Sequence, residues 1–311
     1  MSEIPPSHRP IRPLHLAFAV DGGAQHRERY EVPYYVELAR LAERGALDFV
    51  TLDDSPPPAG GSAGRFDALA VLTQVAPATD RIGLVAAVTA PHPGPVPVPA
   101  GIVLLDRVSR GRAGWTPLVP DPGTAAATTP PRDGPENAAG LHDVTSAGPE
   151  PSEGRPVIAV DATLEGPRET AARHADVAYV RVGGPHSERM AYEARTDLRR
   201  RAAAYGRDPD RLTVLASLAV ELFDPADAVV LADLFGDWRR DGIIDGFHVR
   251  PADPRRDLAR LVNATVPVLQ QRGLFRRFQP GTTLREHLGL DQPVSRAVSR
   301  PAGRAEGRSV G

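Results

Sequence analysis

The feature that most constrains the fold is a rhythm of short apolar runs alternating with longer amphipathic stretches. "LHLAFAV" (14–20) reads as a buried strand. "VPYYVELARLAERGA" (32–46) reads as a helix with Tyr35, Leu38, Ala39 and Ala42 on one face and Gly45 as its stop. The pattern repeats: "FVTLDD" (49–54) is a strand, "RFDALAVLTQVAPAT" (65–79) a helix, "RIGLVAAVT" (81–89) a strand. A proline-rich crossover (91–109) leaves room for a short helix around Ile102–Val108, and "GRAGWTPLV" (111–119) is the fourth strand. After a break, strands at 156–162, 177–182, 211–222 and 246–251 alternate with helices at 167–175, 187–206, 225–242 and 254–273. Eight strands, seven of them followed by a helical stretch, predict an α/β fold of the (β/α)8 barrel type. A doubly wound open sheet is the second choice, and no glycine-rich dinucleotide fingerprint follows the first strand to support it.

The break is as informative as the rhythm. Residues 120–155 are proline, glycine, alanine and threonine with almost no large apolar side chain, so this stretch cannot bury enough surface to fold by itself. It stands where the helix after strand four belongs, and reads as a disordered loop that replaces it, leaving apolar barrel surface for a partner to cover. The expected organisation is a flexible N-terminus (1–13), one barrel domain (14–290) carrying the low-complexity segment, and a disordered tail (291–311).

Composition removes several classes of chemistry. The 311-residue chain has no cysteine, so disulfides, thiolate metal sites and a cysteine nucleophile are excluded. It has no lysine, which excludes Schiff-base chemistry and a P-loop lysine. A formal net charge of −2 gives no global field toward nucleic acid or membrane. The N-terminus lacks the apolar core of a signal peptide and no apolar run is long enough to span a bilayer, so the expected location is the cytoplasm. Nine scattered histidines show no metal-ligand spacing, and no metal is expected.

In a barrel of this kind the site forms at the C-terminal ends of the strands. That selects Asp21, the pair Asp53 and Asp54, Thr89 and His92, Trp115 and Thr116, Asp161 and Thr163, and His248 and Arg250. Strand alternation lets only one of Asp53 and Asp54 face the site; the other caps a loop or is solvated. His92 and His248 are general-base or ring-contacting candidates, set against the simpler reading of each as a rim residue. The run Arg199–Arg201 reads as a solvated helix face, and "NAT" at Asn263 lies inside a helix and is discarded as a glycosylation signal.

Several stretches in one order carry a resemblance: "RIGLVAAVT", "LLDRVSRGRAGW", "GRPVIAV", "AARHADVAYV", "GRDPDRL", "IDGFHV" and "RGLFRRFQPGTTLREHLGL". Together they resemble the luciferase-like flavin-dependent monooxygenases, in the branch of the nitrilotriacetate and dibenzothiophene-sulfone enzymes. The resemblance implies a barrel that takes reduced FMN from a separate NAD(P)H:flavin reductase and uses O2 to oxygenate a small organic substrate. It implies a deazaflavin as the alternative cofactor, and a homo-oligomer. Carried over residue by residue, it implies flavin contacts at Asp54, Thr89, Thr116 and Thr163 and a catalytic role for His92. Thr89 stands in for a threonine that this chain replaces with Ala87. Thr116 replaces an asparagine or glutamine, and is followed by an unexpected Pro117. Where relatives hold the phosphate with a serine and a glycine after strand five, this chain has Leu164 and Pro167, so Thr163 is the remaining hydroxyl. These departures keep a second reading open: a catalytically silent homologue acting as a subunit or binding protein.

"RVSRGRAGWTP" (107–117) looks at first like a phosphate loop or a nucleic-acid patch. In a barrel it becomes the turn from a short helix into strand four. Its arginines are then expected at the bottom of the barrel and Trp115 packed near the top.

Overall fold

The computed structural model describes residues 14–21, 31–53, 67–89, 98–118 and 155–290. Eight parallel strands close into a barrel in chain order, with the last hydrogen-bonded back to the first. They are β1 His15–Ala19, β2 Phe49–Asp53, β3 Gly83–Thr89, β4 Ala113–Leu118, β5 Val157–Asp161, β6 Val177–Val182, β7 Thr213–Val220 and β8 Gly246–Pro251. Helices Val32–Arg44, Ala68–Val75, Val98–Ser109, Glu165–His174, Ser187–Ala204, Pro225–Arg240 and a final helical stretch from Pro254 follow β1, β2, β3, β5, β6, β7 and β8. The segment between β4 and β5, where the sequence predicts a missing helix, lies outside the described residues, as do the two termini.

The helix before β4 is longer than its sequence suggests, running over Val98–Ser109 instead of Ile102–Val108. Pro99 sits in its first turn, where no intrahelical donor is needed. Gly101, Ile102, Leu105, Asp106 and Ser109 then fall on one buried face at helical spacing. Gly45 is the C-cap that stops the first helix after Arg44, as expected, but it does so without a left-handed turn. Its φ is −76°, and the left-handed residue is its neighbour Ala46 at φ 55°. A Cβ on Gly45 would lie 2.7 Å from the Val262 side chain, so this glycine permits a close approach of two helices. The last long helix, written in the sequence as one run, passes through a π-helical turn at Leu261–Thr265 just before Pro267. Proline cannot donate to the ladder, and the wider turn absorbs that defect.

Two apolar layers hold the barrel. The outer one lies between strands and helices and includes Phe18, Leu52, Ala86, Trp115, Val180 and Phe247. The inner one fills the lower barrel with Ala17, Phe49, Val85, Ala159 and Leu215, and is closed from below by Leu284 and Leu288. These two leucines come from "TTLREHLGL", whose short helix carries a Thr283–Glu286 capping box. The plug needs room. A Cβ on Gly83 would meet Leu284 Cδ1 at 2.6 Å and the Asp48 carbonyl at 2.9 Å, and one on Gly114 would meet Val85 Cγ2 at 2.9 Å.

The bottom of the barrel is tied by charges placed one residue before each even-numbered strand. Asp48, before β2, accepts from Leu16 N of β1 at 2.7 Å and from His15 Nδ1 at 3.1 Å, and is ion-paired with Arg276. Asp176, before β6, accepts from Ile158 N of β5 at 3.0 Å and pairs with Arg155 and Arg285. Asp245, before β8, accepts from Val214 N of β7 at 2.9 Å and pairs with Arg195 and Arg199. Before β4 the same position holds Arg112, buried, donating to Ser109 O, Ile82 O, Ala76 O, Thr79 O and Thr79 Oγ1 at 2.7–3.0 Å. Arg112 thus lies at the bottom as its sequence position implies. Arg199 is a correction to the solvated-face reading: it is mostly buried and bridges Asp210 and Asp245. Among the described residues no helix is long and apolar enough to cross a membrane.

Candidate active site

Along each strand the inward positions recur every second residue, and above the apolar plug these positions turn polar. The resulting cavity, about 520 Å³, opens at the C-terminal ends of the strands. Its size falls within the range of small-molecule and cofactor sites.

The floor is neutral. His248 on β8 is buried, with Nε2 2.9 Å from Thr51 Oγ1 and Nδ1 3.0 Å from Ser217 Oγ. Its ring lies against Tyr179, centroids 4.7 Å apart. Burial, reinforced by the Arg250 charge, pushes the imidazole down to about 3, so it stays neutral at physiological pH and holds one hydroxyl as donor and the other as acceptor. This places His248 beneath the cavity and not at its rim, where the sequence alone had put it. Tyr179 is buried and burial drives its phenol well above the ordinary range. Among the described residues Tyr179 Oη and Thr116 Oγ1 are both buried without a hydrogen bond, although the Thr116 side chain is near enough to Tyr179 to moderate that rise. Ala19, Ala87 and Ala219 complete the lining with small side chains.

The walls divide by charge. On one side Asp21 and Asp53 close β1 and β2. Asp53 is pushed up to about 8, first by burial and second by the neighbouring Asp21 charge, against the pull of Arg181. Two adjacent carboxyl groups here share a proton near neutral pH. Across the mouth Arg181 of β6 pairs with Asp161 of β5 at 2.8 Å, and Arg250, on β8 next to β1, faces the same space. Glu221, at the rim, lies 3.7 Å from Arg256.

Thr116, selected from the sequence, lines the cavity from β4. β3 ends at Thr89, opposite Leu118. Asp54 and His92 lie outside the described residues, while Asp53, the other member of its pair, lines the cavity. Thr163 follows β5, and its hydroxyl is engaged on both sides, donating to Asp161 Oδ1 at 2.6 Å and accepting from Arg181 N at 2.9 Å. Pro117 is accommodated because β4 pairs with β3 as far as Leu118 but with β5 only at Gly114 and Trp115. Sequence reasoning missed Thr51, Tyr179, Arg181 and Ser217. The signal was present: each is a polar residue at an alternate position within a strand that is otherwise apolar.

A parallel barrel of eight strands with its polar cavity at the C-terminal mouth defines a class of enzyme scaffold and no single chemistry. Comparison narrows it. The family described as luciferase-like monooxygenase matches residues 13–116, the first third of the chain as far as the fourth strand. Over nearly its full length the chain is similar to nitrilotriacetate monooxygenase component A of Aminobacter aminovorans, with 23% identity covering 90% of this chain and 94% of that protein. That alignment runs over 431 positions although the chain has 311 residues, so a long stretch of the relative has no counterpart here. A shorter segment is more alike: 44% identity over 66 residues with N-acetyl-S-(2-succino)cysteine monooxygenase of Bacillus subtilis strain 168, covering 21% of this chain and 15% of that protein. Among solved structures, EDTA monooxygenase from Chelativorans sp. BNC1 superposes with a TM-score of 0.77 at 18% identity, covering 90% of this chain and 99% of that one, which establishes the shared fold.

Proposed function

We propose that this chain is a reduced-flavin-dependent monooxygenase acting on a small organic substrate with O2, and that the flavin is FMN delivered by a separate NAD(P)H:flavin reductase. The observation that carries the reading is the cavity at the strand C-termini of a luciferase-like barrel, with two buried hydroxyls and a proton-sharing carboxyl pair turned toward it. The residues fit the ring portion of such a cofactor. Ala19, Ala87 and Ala219 leave space for a flat ring system, and Thr116 Oγ1 and Tyr179 Oη are hydrogen-bonding atoms that a bound polar edge would satisfy. When bound, reduced flavin supplies the electrons and activates O2.

The chain's own residues do the rest. The inner hydrophobic layer and the His248 floor seal the cavity from below and exclude water. Asp53 holds a proton at its carboxyl near neutral pH, so the Asp21–Asp53 pair can give a proton to a reacting oxygen or take one from it. The phosphate end is less well served by the start of the helix after β5. That helix opens on Leu164 with no side-chain cap and places Glu165 in its first turn, where a negative charge opposes an anion. The same observation favours the second reading, a catalytically silent homologue that keeps the fold as a subunit or binding protein.

An anaerobic titration with reduced FMN and with reduced deazaflavin, followed by calorimetry, separates the two. Micromolar binding of reduced FMN is expected. Binding no tighter than about millimolar for both, roughly −4 kcal/mol, would sink the enzyme reading.

A further inference from the structure

The two arginines of the cavity are not equivalent. Arg181 has its countercharge, Asp161, at 2.8 Å, and its side chain is half-exposed. Arg250 has no carboxylate within ion-pair distance among the described residues, and its Nε is buried without a hydrogen bond. It sits on β8 in register with Ala219 of β7, which offers no polar group, and on the β1 side Asp21 acts on it from beyond ion-pair distance. Burial and the nearby Arg181 charge both disfavour its charged form. A guanidinium does not give up its proton in a protein, and Asp161 and Asp21 favour its charge only from beyond ion-pair distance, so a bound anion would meet it directly. Two strands away, past β1, Asp53 of β2 is protonated below about 8, so this carboxyl adds no full negative charge at neutral pH and presents a donor instead.

Resting on the reduced-flavin reading above, we propose that Arg250 is the anion anchor of this cavity and that the substrate is a small organic anion, a carboxylate or similar oxyanion. Its charged end sits on Arg250, with Arg181 lending a second, weaker interaction. The planar fork of the guanidinium, with its Nε unpartnered, suits two-point capture of a carboxylate. The flavin phosphate carries the same chemistry and is the competing source of the anion.

Calorimetry on the full chain distinguishes these, with glutarate and the neutral glutaramide as probes, and reduced FMN and reduced riboflavin as cofactor arms. Glutarate is expected to bind at least about tenfold more tightly than glutaramide. Arg250→Met should abolish that preference, Arg250→Lys should restore part of it, and Arg181→Met should weaken it only about two- to threefold, because Asp161 already neutralises Arg181. Equal behaviour of glutarate and glutaramide, including no binding of either, overturns the proposal. So does an Arg250→Met variant that is folded by circular dichroism and keeps the preference. If Arg250→Met weakens reduced FMN and leaves reduced riboflavin unchanged, Arg250 holds the cofactor phosphate and the substrate assignment fails. If the wild-type chain discriminates glutarate but binds no reduced flavin, the anion anchor stands and the flavin reading is what fails.

Discussion

The two ends of the barrel use the same residue types to opposite effect. At the bottom, Asp48, Asp176 and Asp245 each accept a hydrogen bond from a backbone amide of the preceding strand and each face at least one arginine. At the top, Asp53 faces Asp21, and Arg250 faces Arg181. Carboxylates below are held well under their ordinary range at Asp48 and Asp245, while Asp53 above is pushed up to about 8. Burial is common to both ends and opposes charge at both; only the partners differ. Where burial is met by an opposite charge and a backbone donor, an ion becomes a structural tie. Where it is met by a like charge, the ion becomes a reactive or ligand-seeking group.

The strongest way to break this contrast is at Asp48. Its carboxylate is fully buried with His15, Arg276 and the Leu16 amide around it. Asp48→Ala leaves the Arg276 charge and a buried amide without a partner, and should cost about 3–5 kcal/mol at pH 7. Urea unfolding measures it, and a loss below about 1 kcal/mol would mean that the bottom ties are decorative. Because the folded pKa is depressed, the wild-type contribution is present above the unfolded value near 3.8 and is lost as pH falls through the folded one. Acid should therefore weaken the wild type more than Asp48→Ala.

Steric fit at the bottom is the next largest effect. Gly83→Ala forces a methyl group against Leu284 and the Asp48 carbonyl. A cost of about 1–3 kcal/mol is expected from this overpacking, measured by the same unfolding curves. Pairing it with Leu284→Ala should recover part of the loss, since the clash and the plug are the same contact. An additive double variant would show that the plug does not rest on Gly83.

How much of this was written in the chain follows from the same contrast. Strand order, barrel closure and the placement of Arg112 were legible because they depend on hydrophobic period and on segment order. The bottom ties went unread, although "LDF", "ADV" and "IDG" each set an aspartate one residue before β2, β6 and β8. Their role needs the neighbouring strand, which no local pattern supplies. The top was read in part. Asp21, Asp53, Thr116, Asp161, His248 and Arg250 could be chosen from strand ends, but which acid faces which, and that Thr163 is already occupied by Asp161 and Arg181, depends on pairing across the barrel. Tyr179 and Ser217 were hidden inside apolar runs, where a single polar residue at the inward phase is easily taken for noise.

A smaller effect sharpens the comparison through pH. Asp53 has a raised pKa, so its contribution to stability is complete below the unfolded value and declines as pH rises toward about 8. This is the reverse of Asp48. Asp53→Asn keeps the shape and removes the titration. It should flatten the fall in stability between about pH 4 and 8, where one such group gives a slope of at most about 1.4 kcal/mol per pH unit. Unfolding midpoints measured across that range test it. Parallel pH profiles for the wild type and Asp53→Asn would show that the upper carboxyl pair does not share a proton.

The smallest expected change in stability carries the most information about ligand. Tyr179 Oη and Thr116 Oγ1 are buried without hydrogen bonds among the described residues, so removing either should be nearly neutral or slightly stabilising. Tyr179→Phe and Thr116→Val are each expected to shift stability by less than about 1 kcal/mol, because the contact between these two hydroxyls falls short of hydrogen-bond geometry and little is lost when one is deleted. At the bottom, deletion of a polar group always strands its partner, as at Asp48. If the two hydroxyls serve a bound ring, the same variants should weaken reduced FMN about three- to tenfold, one net hydrogen bond being about 1 kcal/mol. Unchanged stability with weakened binding would mark the top of the barrel as built for an occupant. Destabilisation with unchanged binding would make these hydroxyls part of the scaffold and move the ligand contacts elsewhere in the cavity.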